Sequence, residues 1–229
     1  MEKTKYLDLL AQYGISSAHP GGFAMTRELL RHEAITPEMI LLDIGCGTGQ
    51  TSTYIGTHFP CKIVAADINS KMLERAKQTF IKNHLDIPLT RADAMDLPFR
   101  KKSFHIVLSE SVTAFTEIRR TLREYHRVLN PGGVLLAIEV TALQPLTMEE
   151  ADELKAATGL RELPTKEEWF QMFREAGFGD TRLYYQQRMN PTVTLSPTLN
   201  QAFQDYIQAM SRHRKKIGYG VYRCQKQSE

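Results

Sequence analysis

Cysteine is scarce in this chain: three residues in 229, Cys46, Cys61 and Cys224, widely spaced and odd in number. That pattern argues against a disulfide framework or a zinc cluster, and fits reduced thiols inside a cell. Long hydrophobic runs are missing too. No stretch reaches the roughly 18 apolar residues of a membrane span, and no apolar segment opens the chain as a secretory leader would. Excess charge is small, 29 Lys and Arg against 26 Asp and Glu for a net +3, so no global field directs the molecule to nucleic acid or lipid. Internal repeats and low-complexity tracts are absent. These absences predict a cytoplasmic, metal-free protein. Its length and 42% hydrophobic content suffice for one sizeable core, and a single α/β domain with helical additions is expected.

The densest signal is Ile40 to Gln50, ILLDIGCGTGQ. Met39 to Leu42 reads as a buried parallel strand, apolar on both faces. Asp43 follows at its carboxyl end, where open α/β sheets bind ligands. Gly45, Gly47 and Gly49 then alternate through a turn, able to take backbone angles closed to other residues and to let a ligand lie on the main chain. Two cofactor classes use such a turn. The dinucleotide fingerprint is G-x-G-x-x-G, with pyrophosphate at the helix N-terminus. Here the spacing is Gly45-x-Gly47-x-Gly49 with a carboxylate in front. That carboxylate repels a pyrophosphate and attracts an ammonium and a sulfonium, which favours S-adenosylmethionine (SAM) over NAD. The turn by itself leaves NAD, or a merely tight structural turn, open.

Two further strand ends carry acids. Cys61 to Ala66 reads as a second buried strand ending in Asp67, with Asn69 or Ser70 capping the helix that follows. Asp67 can accept both hydroxyls of a ribose while Ile68 packs on a base; it also reads as a loop acid or a helix cap. Leu89 to Asp93 repeats the pattern and leads into Ala94, Met95 and a turn at Asp96 to Phe99. Three acids at three strand ends point into one crevice.

With these motifs in order, the chain resembles the class I SAM-dependent methyltransferases of the small-molecule, ubiquinone/menaquinone-biosynthesis-like (type 11) group. The matching stretches are LLDIGCGTGQTS, IVAADINSKMLERAK, RADAMDLPF, FHIVLSESV and REYHRVLNPGGVLLAIE, within approximately residues 38 to 188. The resemblance implies a Rossmann-like sheet, mostly parallel with an antiparallel final strand and helices on both faces. It also implies SAM as cofactor, with Asp43, Gly45, Cys46, Gly47 and Gly49 at its methionine end, Asp67 and Ile68 at ribose and base, and Asp93 and Ala94 at the adenine amine. Ser109, ending the fourth strand, is implied near the transferable methyl. That strand end decides the chemistry in related folds. Its SESV lacks the Asn or Asp-Pro-Pro-aromatic motif of amino-methylating nucleic-acid enzymes and the Pro-Cys of cytosine-C5 enzymes; Pro60-Cys61 lies at the wrong edge.

The remaining segments supply the expected acceptor side. Glu2 to Tyr13 and Phe23 to Glu33 read as amphipathic helices joined through Pro20-Gly21-Gly22, a lid over residues 1–36 that excludes water and carries Tyr6, Tyr13 and His19 towards the substrate. Domain 37–229 follows. Glu110 is a candidate acid/base or orienting group with His19; it reads equally as a helix N-terminal acid, and His19 as a turn residue. Arg119 to Leu129 reads as a helix stopped by the turn Asn130-Pro131-Gly132-Gly133. Glu139, near the end of the fifth strand Val134 to Val140, is a secondary substrate contact. Helical insertions are expected at about 144–163 and 198–216. In the second, Arg212 to Lys216 reads as solvated cations complementing a helix dipole, or as an RNA contact.

The expected partner is a small-molecule acceptor, in a monomer or homodimer, with neither nucleic acid nor membrane. The alternatives are a tRNA or protein methyltransferase, a non-catalytic SAM-binding protein and an NAD-dependent oxidoreductase.

Overall fold

The computed structural model describes residues 19–189 and 201–228. The helix expected at Glu2 to Tyr13, and with it Tyr6 and Tyr13, lies outside the described residues. Helix α1 (Gly22–Arg31) precedes β1 (Ile40–Ile44), α2 (Gln50–His58), β2 (Lys62–Asp67), α3 (Ser70–Lys82), β3 (Leu89–Arg91) and β4 (Phe104–Glu110). A 3₁₀ turn (Thr113–Phe115) follows, then α4 (Ile118–Val128), β5 (Leu129–Ala142), α5 (Met148–Thr158), α6 (Lys166–Glu175), β6 (Phe178–Arg188), α7 (Gln201–Arg212) and β7 (Ile217–Lys226). The strands form one seven-stranded sheet in the order β3-β2-β1-β4-β5-β7-β6. Strand β7 is antiparallel to both its neighbours, while the pairings from β3 through β5 are parallel. This is a Rossmann-like sheet with the order reversing between β1 and β4, the place where such sheets open a ligand crevice.

Alternate residues of the central strands feed two cores, as the period-2 geometry of a strand requires. Leu41, Ile106, Leu108, Val134 and Leu136 pack under α1 and α2 through Leu29, Leu30 and Ile55. Leu42, Val107, Leu135 and Ala137 face the other way, onto Leu122, Tyr125, Trp169 and Phe173. Fully buried Trp169 gives its indole N–H to the Val140 carbonyl at 3.1 Å. Helices α5 and α6 open on capping boxes, Thr147 with Glu150 and Thr165 with Glu168. Asn69, not Ser70, caps α3, accepting from Lys71 N at 2.9 Å.

Two expectations about boundaries are corrected. Helix α4 stops at Val128 with Leu129 as its C-cap, but Leu129 also begins β5, and Asn130-Pro131-Gly132-Gly133 is carried within the strand as a bulge. Partners Leu129 and Val134 on β5, five positions apart, oppose Phe104 and Ile106 on β4, two apart. At Gly133 an added Cβ would stand 2.9 Å from the Asn130 carbonyl, so the bulge closes on a glycine. The third strand stops at Arg91, and Asp93 instead closes a turn, taking Asp96 N on its carbonyl at 3.0 Å and Met95 N on its carboxylate at 2.8 Å.

The basic end of α7 is exposed at Arg212, Arg214 and Lys215, as expected of solvated cations, and part of it is also ion-paired. Glu153 pairs with Arg212 and, at 2.9 Å, with His213, while Lys216 reaches both carboxylate oxygens of Glu150 at 2.6 and 2.7 Å. These pairs bolt α7 to α5, the two insertions that stand beside the crevice.

Candidate active site

Beyond the carboxyl ends of β1, β2 and β4 lies a cavity of about 480 Å³, within the range usual for small-ligand sites. Its wall brings together Asp43, Gly45, Cys46, Gly47, Asp67, Ile68, Asp93, Ala94 and Glu110, with His19 entering from before α1. The three expected strand-end acids thus share one space. So does Ile68, a large apolar side chain left 58% exposed on the cavity wall, as a seat for a flat base would be.

The three glycines of the turn do different work. All have positive φ, +73° at Gly45, +56° at Gly47 and +80° at Gly49. A Cβ on Gly45 would fall 2.2 Å from Cγ2 of Val112, and one on Gly49 2.6 Å from the Phe80 ring. Those two give up their side chains to protein neighbours. Gly47 alone of the three has nothing within 4 Å and leaves its face open. The turn lines the cavity through Gly45, Cys46, Gly47 and Thr48, and of its glycines only Gly47 has open space where a Cβ would stand. Its amide is already oriented, donating to the Asp67 carboxylate at 2.9 Å, while Asn69 N donates to the other oxygen at 2.8 Å.

Asp43 is almost fully buried and takes the Ser52 hydroxyl at 2.5 Å. Burial, then the nearby Glu110, push its carboxyl up to about 7, against the lowering effect of Ser52; Asp67 adds to the rise. Asp67 is raised by burial and held back by its backbone donors. Burial, reinforced by Asp43 and Asp67, drives the Cys46 thiol far above its ordinary value, so it stays protonated. A cleft lined by crowded, desolvated carboxylates favours a cation.

Glu110 is a junction. It accepts the Thr26 hydroxyl of α1 at 2.5 Å and the Thr51 hydroxyl of α2 at 2.8 Å. His19 Nε2 lies 3.7 Å from Glu110 and 3.3 Å from the Thr26 oxygen, and its Nδ1 is 3.2 Å from the Pro20 carbonyl. Sequence reading missed Thr26 and Thr51: neither sits in a motif that names its partner, although Thr51 directly follows the glycine turn.

Ser109 and Glu139 are not on the cavity wall. Both are completely buried, and Ser109 donates to Glu139 at 3.1 Å. The Glu139 carboxylate also takes Thr113 N at 3.0 Å and Ala114 N at 3.3 Å. Alternation along β4 and β5 turns these two side chains inward and leaves Glu110 and Val140 for the cavity. Glu139 holds the 3₁₀ turn whose flanking Val112 and whose Phe115 do line it. The rest of the wall is largely apolar, with Phe115, Val140, Leu160, Met189 and Met210, and also carries Thr116, Thr158, Arg161 and Tyr206.

A methyltransferase domain model matches residues 42–137, the glycine turn through β5. Along nearly its whole length the chain is also similar to a Bacillus subtilis methyltransferase, YodH, at 34% identity over 229 residues, covering 96% of this chain and 98% of that one. The chain belongs to the class I SAM-dependent methyltransferases. A mitochondrial 2-methoxy-6-polyprenyl-1,4-benzoquinol methylase of Caenorhabditis elegans is 29% identical over 168 residues, spanning 62% of the methyltransferase and 59% of that protein. In fold, the methyltransferase resembles the MccD protein, with a TM-score of 0.76 at 22% identity over 92% of this chain and all of that one. Among the described residues of the methyltransferase, no helix is long and apolar enough to cross a membrane and no His, Cys, Asp and Glu group could hold a metal ion.

Proposed function

We propose that this methyltransferase moves the methyl group of SAM onto a small-molecule acceptor held against the largely apolar wall of the same cavity. The observation that carries the reading is that one cavity joins strand-end acids at the sheet edge to a largely apolar wall, with Leu160 and Met210 beside Thr158, Arg161 and Tyr206. Asp43 would face the ammonium and sulfonium, Gly47 would give the main chain room, Asp67 would accept the ribose hydroxyls, Ile68 would pack on the base, and Asp93 and Ala94 would meet the adenine amine. When bound, SAM supplies an electrophilic methyl on a positively charged sulfur.

The chain's own residues then do three things. The apolar wall excludes water and holds the acceptor, and alignment of this kind supplies roughly 7 to 11 kcal/mol of the barrier reduction. Asp43 and its neighbours set a negative field along the charged cofactor. Glu110, fixed by Thr26 and Thr51, orients the acceptor's nucleophile and accepts the proton it loses, with His19 beside it. Ion pairing of Arg212, His213 and Lys216 with α5 accounts for part of the basic end of α7 by a structural role. Calorimetric titration with SAM and its demethylated product, S-adenosylhomocysteine, followed by an acceptor screen, tests the reading. Binding with no acceptor methylated would leave a binding protein, and no SAM binding would remove the reading altogether.

Asp67→Ala removes charge-assisted bonds to the ribose, and its SAM affinity is expected to fall by roughly 1 to 3 kcal/mol in the same calorimeter. Asp43 predicts a pH dependence. Its carboxyl is raised to about 7 in the free fold, so its stabilising contribution is complete below the ordinary value of 3.8 and is lost as pH climbs through about 7. A cationic ligand favours the carboxylate, so binding releases a proton. SAM affinity is expected to rise between pH 5.5 and 7, by at most about tenfold per unit, with the slope abolished in Asp43→Asn. Equal slopes in both proteins would assign the dependence elsewhere.

A further inference from the structure

Ser111 combines two features that work against the fold. Its φ is +57°, in the left-handed region, where a residue with a Cβ is disfavoured. Its hydroxyl oxygen is buried and has no hydrogen-bond partner among the described residues. Among the described residues two other non-glycine residues share the left-handed backbone, His84 and Lys102, and neither lines the cavity; Ser111 does. The chain path itself does not call for serine. The Ser111 amide fixes the turn after β4 by donating to the Ile138 carbonyl at 2.7 Å, and glycine would make that bond without strain and without an orphaned hydroxyl.

A strained residue with an unsatisfied buried polar atom on the wall of a ligand cavity is accounted for when the ligand supplies the partner. The position suits this. Ser111 stands between Glu110, whose carboxylate is pinned by Thr26 and Thr51, and Val112, which is keyed into Gly45. The cavity it lines is also walled by apolar Val140, Leu160, Met189 and Met210, with Arg161 and Tyr206 among them. Ser111 is itself only half-buried while its oxygen is buried, so reaching a bound acceptor requires the hydroxyl to turn about χ1 towards it. A serine hydroxyl both donates and accepts, so it can bond the heteroatom of an O–H or N–H whose proton points at Glu110.

Resting on the methyl-transfer reading above, we propose that Ser111 hydrogen-bonds the attacking group of the acceptor, and that the acceptor is an apolar molecule with a single hydroxyl or amine at the end that reaches Glu110. The test uses Ser111→Gly and Ser111→Ala beside the wild type, with 4-pentylphenol as the probe and pentylbenzene, which lacks the hydroxyl, as its match. Each protein is loaded with S-adenosylhomocysteine for the probe titrations, and SAM affinity and melting temperature are measured separately.

Ser111→Gly is expected to melt no lower than the wild type and to bind SAM unchanged. Its affinity for 4-pentylphenol is expected to fall about tenfold, the loss of one hydrogen bond to a buried partner, while pentylbenzene binds both proteins alike. Ser111→Ala, which keeps the strain and drops the hydroxyl, is expected to lose the same probe affinity without the gain in stability. Equal 4-pentylphenol binding by wild type and Ser111→Gly would overturn the proposal. So would a lower melting temperature in Ser111→Gly, a fall in its SAM affinity, or a wild type that binds SAM but not 4-pentylphenol. Failure of SAM to bind the wild type would instead count against the methyl-transfer reading.

Discussion

Gly45→Ala is expected to lose roughly 2 to 5 kcal/mol of stability, the sum of left-handed strain on a residue with a Cβ and overpacking of a closed contact. The new methyl would stand 2.2 Å from Val112 Cγ2 at a φ of +73°. Val112 has little freedom to retreat, because the 3₁₀ turn that follows it is held by Glu139. Gly47→Ala makes the contrast. Its φ is also positive, but nothing lies within 4 Å of the added methyl, so its cost is limited to about 1 to 2 kcal/mol of backbone strain. The methyl would stand in open space at the cavity wall. Urea denaturation of both variants is expected to rank Gly45→Ala well below Gly47→Ala. Equal midpoints would mean that Val112 yields freely and that the first glycine is not a packing residue.

Removing the Glu139 carboxylate is expected to be comparably damaging. Glu139→Ala leaves Thr113 N and Ala114 N without the acceptor that each has now, while the Ser109 hydroxyl keeps Thr113 Oγ1 at 3.1 Å and the Tyr125 hydroxyl at 3.4 Å. Orphaned buried donors cost about 1 to 3 kcal/mol each, offset in part by no longer burying a carboxyl, for a net loss of roughly 2 to 5 kcal/mol. Because the turn presents Val112 and Phe115 to the cavity, SAM and acceptor binding are expected to weaken along with the fold. Glu139→Gln retains an acceptor oxygen and is expected to stay within about 1.5 kcal/mol of the wild type. The pH dependence gives an independent check. Burial holds the Glu139 carboxyl above its ordinary 4.5, so the wild type sheds this part of its stability as pH rises above that value, and Glu139→Gln does not. A Glu139→Ala protein as stable as the wild type would show that Glu139 is not the anchor of the turn.

The parts of the site legible in the sequence are those fixed by local chain chemistry. An apolar run followed by Asp43 or Asp67 places an acid at a strand end whatever the rest of the chain does, and positive φ at the turn is written in its glycines. What could not be read is which way a side chain turns once it is there. Ser109 and Glu139 sit at the right strand ends, yet the pleat directs both into the core, and a shift of one residue assigns the cavity to Glu110 and Val140 instead. The bulge at Asn130 to Gly133 was hidden because the same Pro-Gly-Gly that ends a helix also fits a strand irregularity. Long-range polar partners leave no local trace: Thr26 is 84 residues from Glu110, and Lys216 is 66 from Glu150. The strain at Ser111 is likewise invisible, since serine carries no sequence mark for a left-handed backbone.

The most direct test of the central claim, that this crevice seats SAM against the open face of Gly47, is calorimetric titration of SAM into wild-type and Gly47→Ala protein, both verified as folded. The wild type is expected to show one saturable site and the variant an affinity at least about tenfold weaker, equivalent to about 1.4 kcal/mol. Equal affinities in the two proteins would contradict it.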